Sequence, residues 1–214
     1  VNPVLWDFYT TGAGAAYKKE VPSVTGQGRL AANEAPQSAY TQTEFDSMAE
    51  YRDAAVIVIG RSGSESMDLP VDYLSFTEEE RSLIEMAQGR FDKIVLVLNV
   101  TNPINMTEIA RYDIDAVLWV GALGQEGAYA VGEALNGTVN PSGHLVDTWA
   151  VDPAGSPAAA NLGDYTITNS NVTSGNKYIV YAEGIYVGYR YYETRYEDAV
   201  LGQGNAGDYD YDAQ

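Results

Sequence analysis

Three stretches of this chain are apolar without interruption: Ala54-Ala55-Val56-Ile57-Val58-Ile59, Ile94-Val95-Leu96-Val97-Leu98 and Ala116-Val117-Leu118-Trp119-Val120. A strand with one wet face alternates polar and apolar residues, whereas an unbroken run implies cover on both faces, as in parallel strands flanked by helices. The intervening segments supply such helices. One is expected over Thr43 to Tyr51, and Thr77-Glu78-Glu79-Glu80 has capping-box form ahead of a stripe of Leu83, Ile84 and Ala87 that stops at Gly89. A shorter helix is expected over Asn105 to Arg111, and another from Gln125 to Leu135 with Ala128, Val131 and Leu135 inward. This alternation predicts an α/β fold, a three-layer α/β/α sandwich on a mainly parallel sheet, with functional loops beyond the carboxyl ends of the strands.

Around this middle, residues 43–193, the chain reads differently. Residues 1–42 form an irregular lead-in rich in Gly, Ala, Thr and Pro, whose Trp6, Phe8, Tyr9 and Tyr17 could pack on this domain or on a neighbour. After the turn Asn140-Pro141-Ser142-Gly143 a strand is expected over Leu145 to Trp149, followed by a long surface loop from Asp152 to Asn176. Order resumes at Tyr178-Ile179-Val180-Tyr181, and residues 194–214 are expected as a mobile acidic tail. Asp208, Asp210 and Asp212 alternate there as calcium ligands can, but the EF-hand pattern is absent.

Composition removes several classes of function. A formal charge of −18 argues against nucleic acid, because phosphate contacts need clustered Lys and Arg. With no cysteine and one histidine, His144, neither a disulfide framework, a thiolate metal site nor a multi-histidine centre can be built. No metal and no cofactor is expected. No apolar run approaches the roughly 18 residues that span a bilayer.

Chemistry, if present, is expected in Gly60-Arg61-Ser62-Gly63-Ser64-Glu65-Ser66-Met67-Asp68-Leu69-Pro70, directly after the first apolar run. A small-residue loop there can hold a carboxylate at the rim of a cleft, where partial burial raises its pKa and suits it to general-acid work. The plainer alternative is a solvated loop in which Asp68 and Arg61 pair. A phosphate cradle is disfavoured, since the loop lacks a P-loop Lys-Ser/Thr ending and its two acids repel anions. Gly121 to Gly127 reads as a tight strand-to-helix turn, and His144 as structural.

Taken in order, these segments resemble the sandwich domain of family 3 glycoside hydrolases. The stations are Ala55 to Gly60, the Glu65 to Asp68 loop, Val95 to Asn99 with Asn102-Pro103, Gly124-Gln125-Glu126-Gly127, Leu135-Asn136-Gly137 with Asn140 to Gly143, and Glu183 to Arg190. The resemblance runs from Asp53 to Glu193, and Trp6 to Tyr9 looks like the start of a bacterial subgroup. Ser66, Leu69 and His144 depart from the family's usual Gly, Arg and Arg, and the first two bear on how the loop is aimed and which sugar it accepts.

The resemblance implies a retaining β-glycosidase, β-glucosidase-like, acting on a β-linked oligosaccharide or glycoside. In the family a (β/α)8 barrel of the same full-length protein holds the sugar and an Asp nucleophile. Glu65 stands at the position of the general acid/base, and Asp68 at a second acidic position that is either structural or in contact with substrate. The likeness favours a bacterial source and an extracellular or membrane-tethered parent. The competing expectation is a noncatalytic carbohydrate-binding or interaction domain.

Overall fold

The computed structural model describes residues 1–18, 30–31, 34–62, 71–163, 165–168, 171, 177–181 and 183–203. They fall into two units, residues 1–143 and 144–214. In chain order the first unit contains α1 (Pro3–Thr10), β1 (Leu30–Ala31), α2 (Gln42–Glu50), β2 (Ala55–Ser62), α3 (Glu78–Gln88), β3 (Ile94–Asn99), α4 (Met106–Ala110), β4 (Ala116–Trp119) and α5 (Gly127–Leu135). The second contains α6 (Pro157–Ala160) and α7 (Tyr189–Tyr196), the latter continued by a π-helical turn over Glu197–Leu201.

The three apolar runs are the three parallel strands of an α/β sandwich. The sheet order is β1-β2-β3-β4, with β2, β3 and β4 parallel and the short β1 antiparallel on β2. β3 lies between two strands, and its Leu96, Val97 and Leu98 are almost wholly buried. Neighbouring strands expose more. On β2, Ile57 and Ile59 face inward, while Val56 and Val58 on the opposite face are 48% and 60% exposed. The unbroken pattern therefore reports burial on both faces in the central strand only; beside it the same β-branched residues leave one face open.

α3 forms as its capping box requires. The Thr77 hydroxyl accepts from the Glu80 amide at 3.2 Å, the Glu80 carboxylate accepts from the Thr77 amide at 2.8 Å, and Gly89 caps the end. Its buried face carries Ile84, Met86 and Ala87. α5 corrects the inward set: Ala128 and Leu135 are exposed, and Gly127, Val131 and Ala134 are the half-buried stripe. Gly127 is seated so closely on Leu123 that an added Cβ would lie 3.0 Å from the Leu123 Cβ.

The lead-in is more regular than its composition suggests. Asn2 caps α1 by accepting from the Val4 and Leu5 amides at 3.0 and 3.2 Å, and Pro3 at the first helical position has no N–H to satisfy. The Asn2 amide donates to Ser47 Oγ at 3.0 Å, joining α1 to α2. Phe8 is buried against this unit, stacked on Tyr40 at 4.3 Å between ring centres, within a cluster that includes Met48 of α2 and Met86 of α3. Gly14 lies over the same ring, where any Cβ would collide with it.

In the second unit Leu145 to Trp149 is not a strand, and Leu145 and Val146 are 48% and 83% exposed. Apolar residues become a strand only when a ladder partner takes their N–H and C=O groups, and among the described residues no strand is laddered with this run. Asn161 organises the unit's interior, donating to the buried Glu183 carboxylate at 3.1 Å and to the Val180 carbonyl. Residues 194–201, expected as tail, are helical.

The two sheet faces predict contrasting mutational costs. Leu96→Ala should lower unfolding free energy by about 2–5 kcal/mol through lost burial and the cavity left behind. Val58→Ala should cost within about 0.5 kcal/mol, as expected for an exposed position. Urea titrations of both variants check this, and similar losses at the two sites would contradict the asymmetric sheet.

Candidate functional site

Because β2, β3 and β4 are parallel, their carboxyl ends lie along one edge, with Gly60 registered on Asn99 and Leu98 on Trp119. Glu65 and Asp68 fall in residues 63–70, which follow Ser62 in sequence, and both lie outside the described residues, as do Asp208, Asp210 and Asp212. What is described is the frame on either side of that segment.

The frame is built on Arg61. Its guanidinium meets the Glu80 carboxylate edge to edge, Nη1 to Oε1 and Nη2 to Oε2, the second contact at 2.5 Å. Both side chains are nearly inaccessible, 1% and 4% exposed. Nη2 also donates to the Ser75 carbonyl at 3.2 Å, and the guanidinium lies 5.7 Å from the centre of the buried Tyr73 ring. Arg61 precedes the loop, while Tyr73 and Ser75 follow it. One side chain thus joins both stems. Asn105 N–H, donating to the Leu74 carbonyl at 2.8 Å, ties the second stem to the start of α4.

Glu80 was legible only as half of a capping box. That it also receives Arg61 has a faint sequence signal, a basic residue directly after the apolar run and an acid at the third position of the next helix. Arg61, the cation weighed above as a partner for Asp68, is bound to Glu80 along its outer edge.

At the ends of β3 and β4 the Trp119 indole N–H donates to the Val100 carbonyl at 2.7 Å. Gly121, at φ 58°, turns the chain under that ring in a conformation side chains rarely adopt. Asn102 donates to the Pro103 carbonyl at 3.0 Å, and its buried Oδ1 finds no donor among the described residues. His144 is exposed, and the strand it was expected to enter is absent.

A second, half-buried acid lies near this frame. Glu34 Oε1 accepts from Tyr9 Oη at 2.8 Å, Tyr40 Oη at 3.1 Å and the Ala35 amide at 2.9 Å. Burial pushes the Glu34 carboxyl above its ordinary value, outweighing the three bonds that favour the anion, and the negative charge of Glu80 adds to the rise. Burial first, then neighbouring charge, holds both phenols far above the usual tyrosine range, so they remain donors.

Comparison with known proteins gives this geometry a context. Residues 8–189 match the family model of the glycosyl hydrolase family 3 C-terminal domain. The chain is 34% identical over 154 residues to a beta-glucosidase of Ruminococcus albus, covering 71% of this chain and 15% of that protein. It is 33% identical over 171 residues to beta-glucosidase A of Butyrivibrio fibrisolvens, covering 68% and 19%. The crystal structure of a novel beta-glucosidase from Paenibacillus barengoltzii superposes with a TM-score of 0.58 at 28% identity, covering 89% of this chain and 18% of that one. The chain therefore spans less than a fifth of the length of these relatives.

Glu34 predicts a pH dependence of stability. Its folded pKa lies above the ordinary 4.5, so its contribution is present below that value and lost as pH rises through the raised pKa, where the folded state must ionise a half-buried acid. Glu34→Gln keeps an acceptor oxygen for Tyr9, Tyr40 and Ala35 but cannot ionise. The difference in urea midpoint, native minus variant, should fall from pH 4.5 upward; a difference independent of pH would contradict this reading.

Proposed function

The chain belongs to glycosyl hydrolase family 3, whose C-terminal domain it matches over most of its length, and from that premise we propose that it is the non-barrel domain of a retaining, β-glucosidase-like glycosidase. Its active site is completed by a (β/α)8 barrel of the same full-length protein. What supports this reading is the family match together with the end of β2 at Ser62, three residues before Glu65 in sequence, on the carboxyl side of a parallel sheet where open α/β folds bind ligands.

In this reading Glu65 is the general acid/base. A barrel Asp attacks the anomeric carbon while Glu65 gives its proton to the departing glycosidic oxygen, and the resulting carboxylate then takes a proton from the water that releases the glycosyl group. The two carboxyl groups of a retaining pair stand roughly 5–5.5 Å apart, so neither domain is competent alone. Asp68, on the same loop, contacts the sugar. The substrate is a β-linked oligosaccharide or glycoside.

Two outcomes are expected. The isolated chain should not hydrolyse aryl β-glycosides above background, because positioned substrate and nucleophile supply most of the rate and a lone acid offers about 10²- to 10⁴-fold at best. Turnover that vanishes in Glu65→Ala would contradict this. In the full-length enzyme, Glu65→Gln should slow unactivated glycosides by about 10²- to 10⁴-fold while leaving groups that depart without a proton still glycosylate the enzyme. Azide should then restore turnover and yield a β-glycosyl azide. A variant that treats good and poor leaving groups alike and ignores azide would remove Glu65 from the role, which would then pass to another residue.

A further inference from the structure

We infer that Arg61 and Glu80 are positioning residues for the proposed acid/base: their buried pair joins the end of β2 to the chain around Ser75, the two described ends between which residues 63–70, Glu65 among them, lie in sequence. The inference rests on the assignment of Glu65 proposed above. Its own basis is the described frame. Arg61 is part of β2, paired across to Ala31 of β1, so its backbone is held by the sheet. From that fixed point its side chain reaches the Ser75 carbonyl and the face of Tyr73, beyond the far end of the loop. Glu80 holds the guanidinium from the other side and is itself locked by the Thr77 amide at the start of α3.

The fork geometry matters here. A guanidinium can meet a carboxylate with two parallel N–H bonds and still reach a carbonyl, whereas an ammonium is a point charge that cannot make all three contacts in those directions. Arg61→Lys therefore keeps the charge but loosens the link between stems. A general acid must reach the leaving oxygen within hydrogen-bond range, and a displacement of about 1 Å can cost about 10²-fold. The loss falls on substrates that need the proton.

The test uses the full-length enzyme with Arg61→Lys, and with Arg61→Met/Glu80→Leu, which removes both buried charges together and carries the same measurement where the lysine variant does not fold. kcat/KM is measured across aryl and alkyl glycosides of graded leaving-group pKa, with pH profiles for one good and one poor leaving group. For poor leaving groups kcat/KM should fall about 10- to 100-fold, with kcat bearing the loss and KM little changed, while activated substrates are spared. The limb of the pH profile that reports the acid should move in the variants for the poor leaving group. A fold that is merely weakened would scale every substrate by one factor, and that outcome, or no change at all, overturns the inference. Glu65→Gln run in parallel separates the two claims. If it discriminates between leaving groups and the Arg61 variants do not, the positioning role falls and the acid/base assignment stands. If the Arg61 variants discriminate and Glu65→Gln does not, the acid/base assignment falls and the positioning of Glu65 falls with it.

Discussion

A guanidinium and a carboxylate taken out of water together set the terms for the first unit. Burying either ion alone costs several kcal/mol after relaxation, and only a partner with matching geometry and further hydrogen bonds offsets it. Arg61 and Glu80 meet that condition through their paired contacts, the Ser75 carbonyl and the Thr77 amide. To be satisfied at once, the pair needs the end of β2, the start of α3 and the turn over Val71–Leu74 in one arrangement. Small shifts of any of these strand a charge. The apolar core around Ile59, Ile84 and Leu98 supplies the driving force for folding, whereas this pair narrows the choice of arrangement.

A second constraint lies at Glu34, where one oxygen collects the phenols of Tyr9 and Tyr40 together with the amide of its neighbour Ala35. Tyr9 comes from α1, Tyr40 from the segment before α2, and Glu34 stands between β1 and that segment. With Phe8 stacked on Tyr40, the lead-in belongs physically to the first unit. Its acid is poised differently from that of the ion pair: it is surrounded by neutral donors and faces the charge of Glu80, so protonation relieves it.

The parallel strands were legible in sequence because β-branched residues without alternation have few other uses, and α3 because Thr77 and Glu80 spell out its start. α1 was not, since its signal is an Asn-Pro pair and a single buried ring at Phe8 in a segment otherwise rich in small residues. Leu145 to Trp149 misled for the opposite reason: its residues suit a strand, but pairing depends on a neighbour that local sequence cannot specify. For α5 the error was a rotation of about one residue, caused by giving weight to Leu135 rather than to Gly127, whose lack of a side chain permits its contact with Leu123. The position of Glu65 on the loop came from likeness to a family. The frame that brackets that loop came only from structure, because a buried ion pair between residues nineteen apart is written in no periodicity.

The open valine face of β2 has a consequence for how copies of this chain behave toward one another. Val56 and Val58 form an apolar surface that would favour self-association, and what opposes it is the surplus of acid, a formal charge of −18 at neutral pH. That repulsion acts at a distance of about 8 Å in physiological salt and shortens to about 3 Å at 1 M. It vanishes near the isoelectric point of 4.1. Colloidal behaviour is thus set by acidity and ionic strength, with the strand supplying the attraction and the carboxylates the barrier.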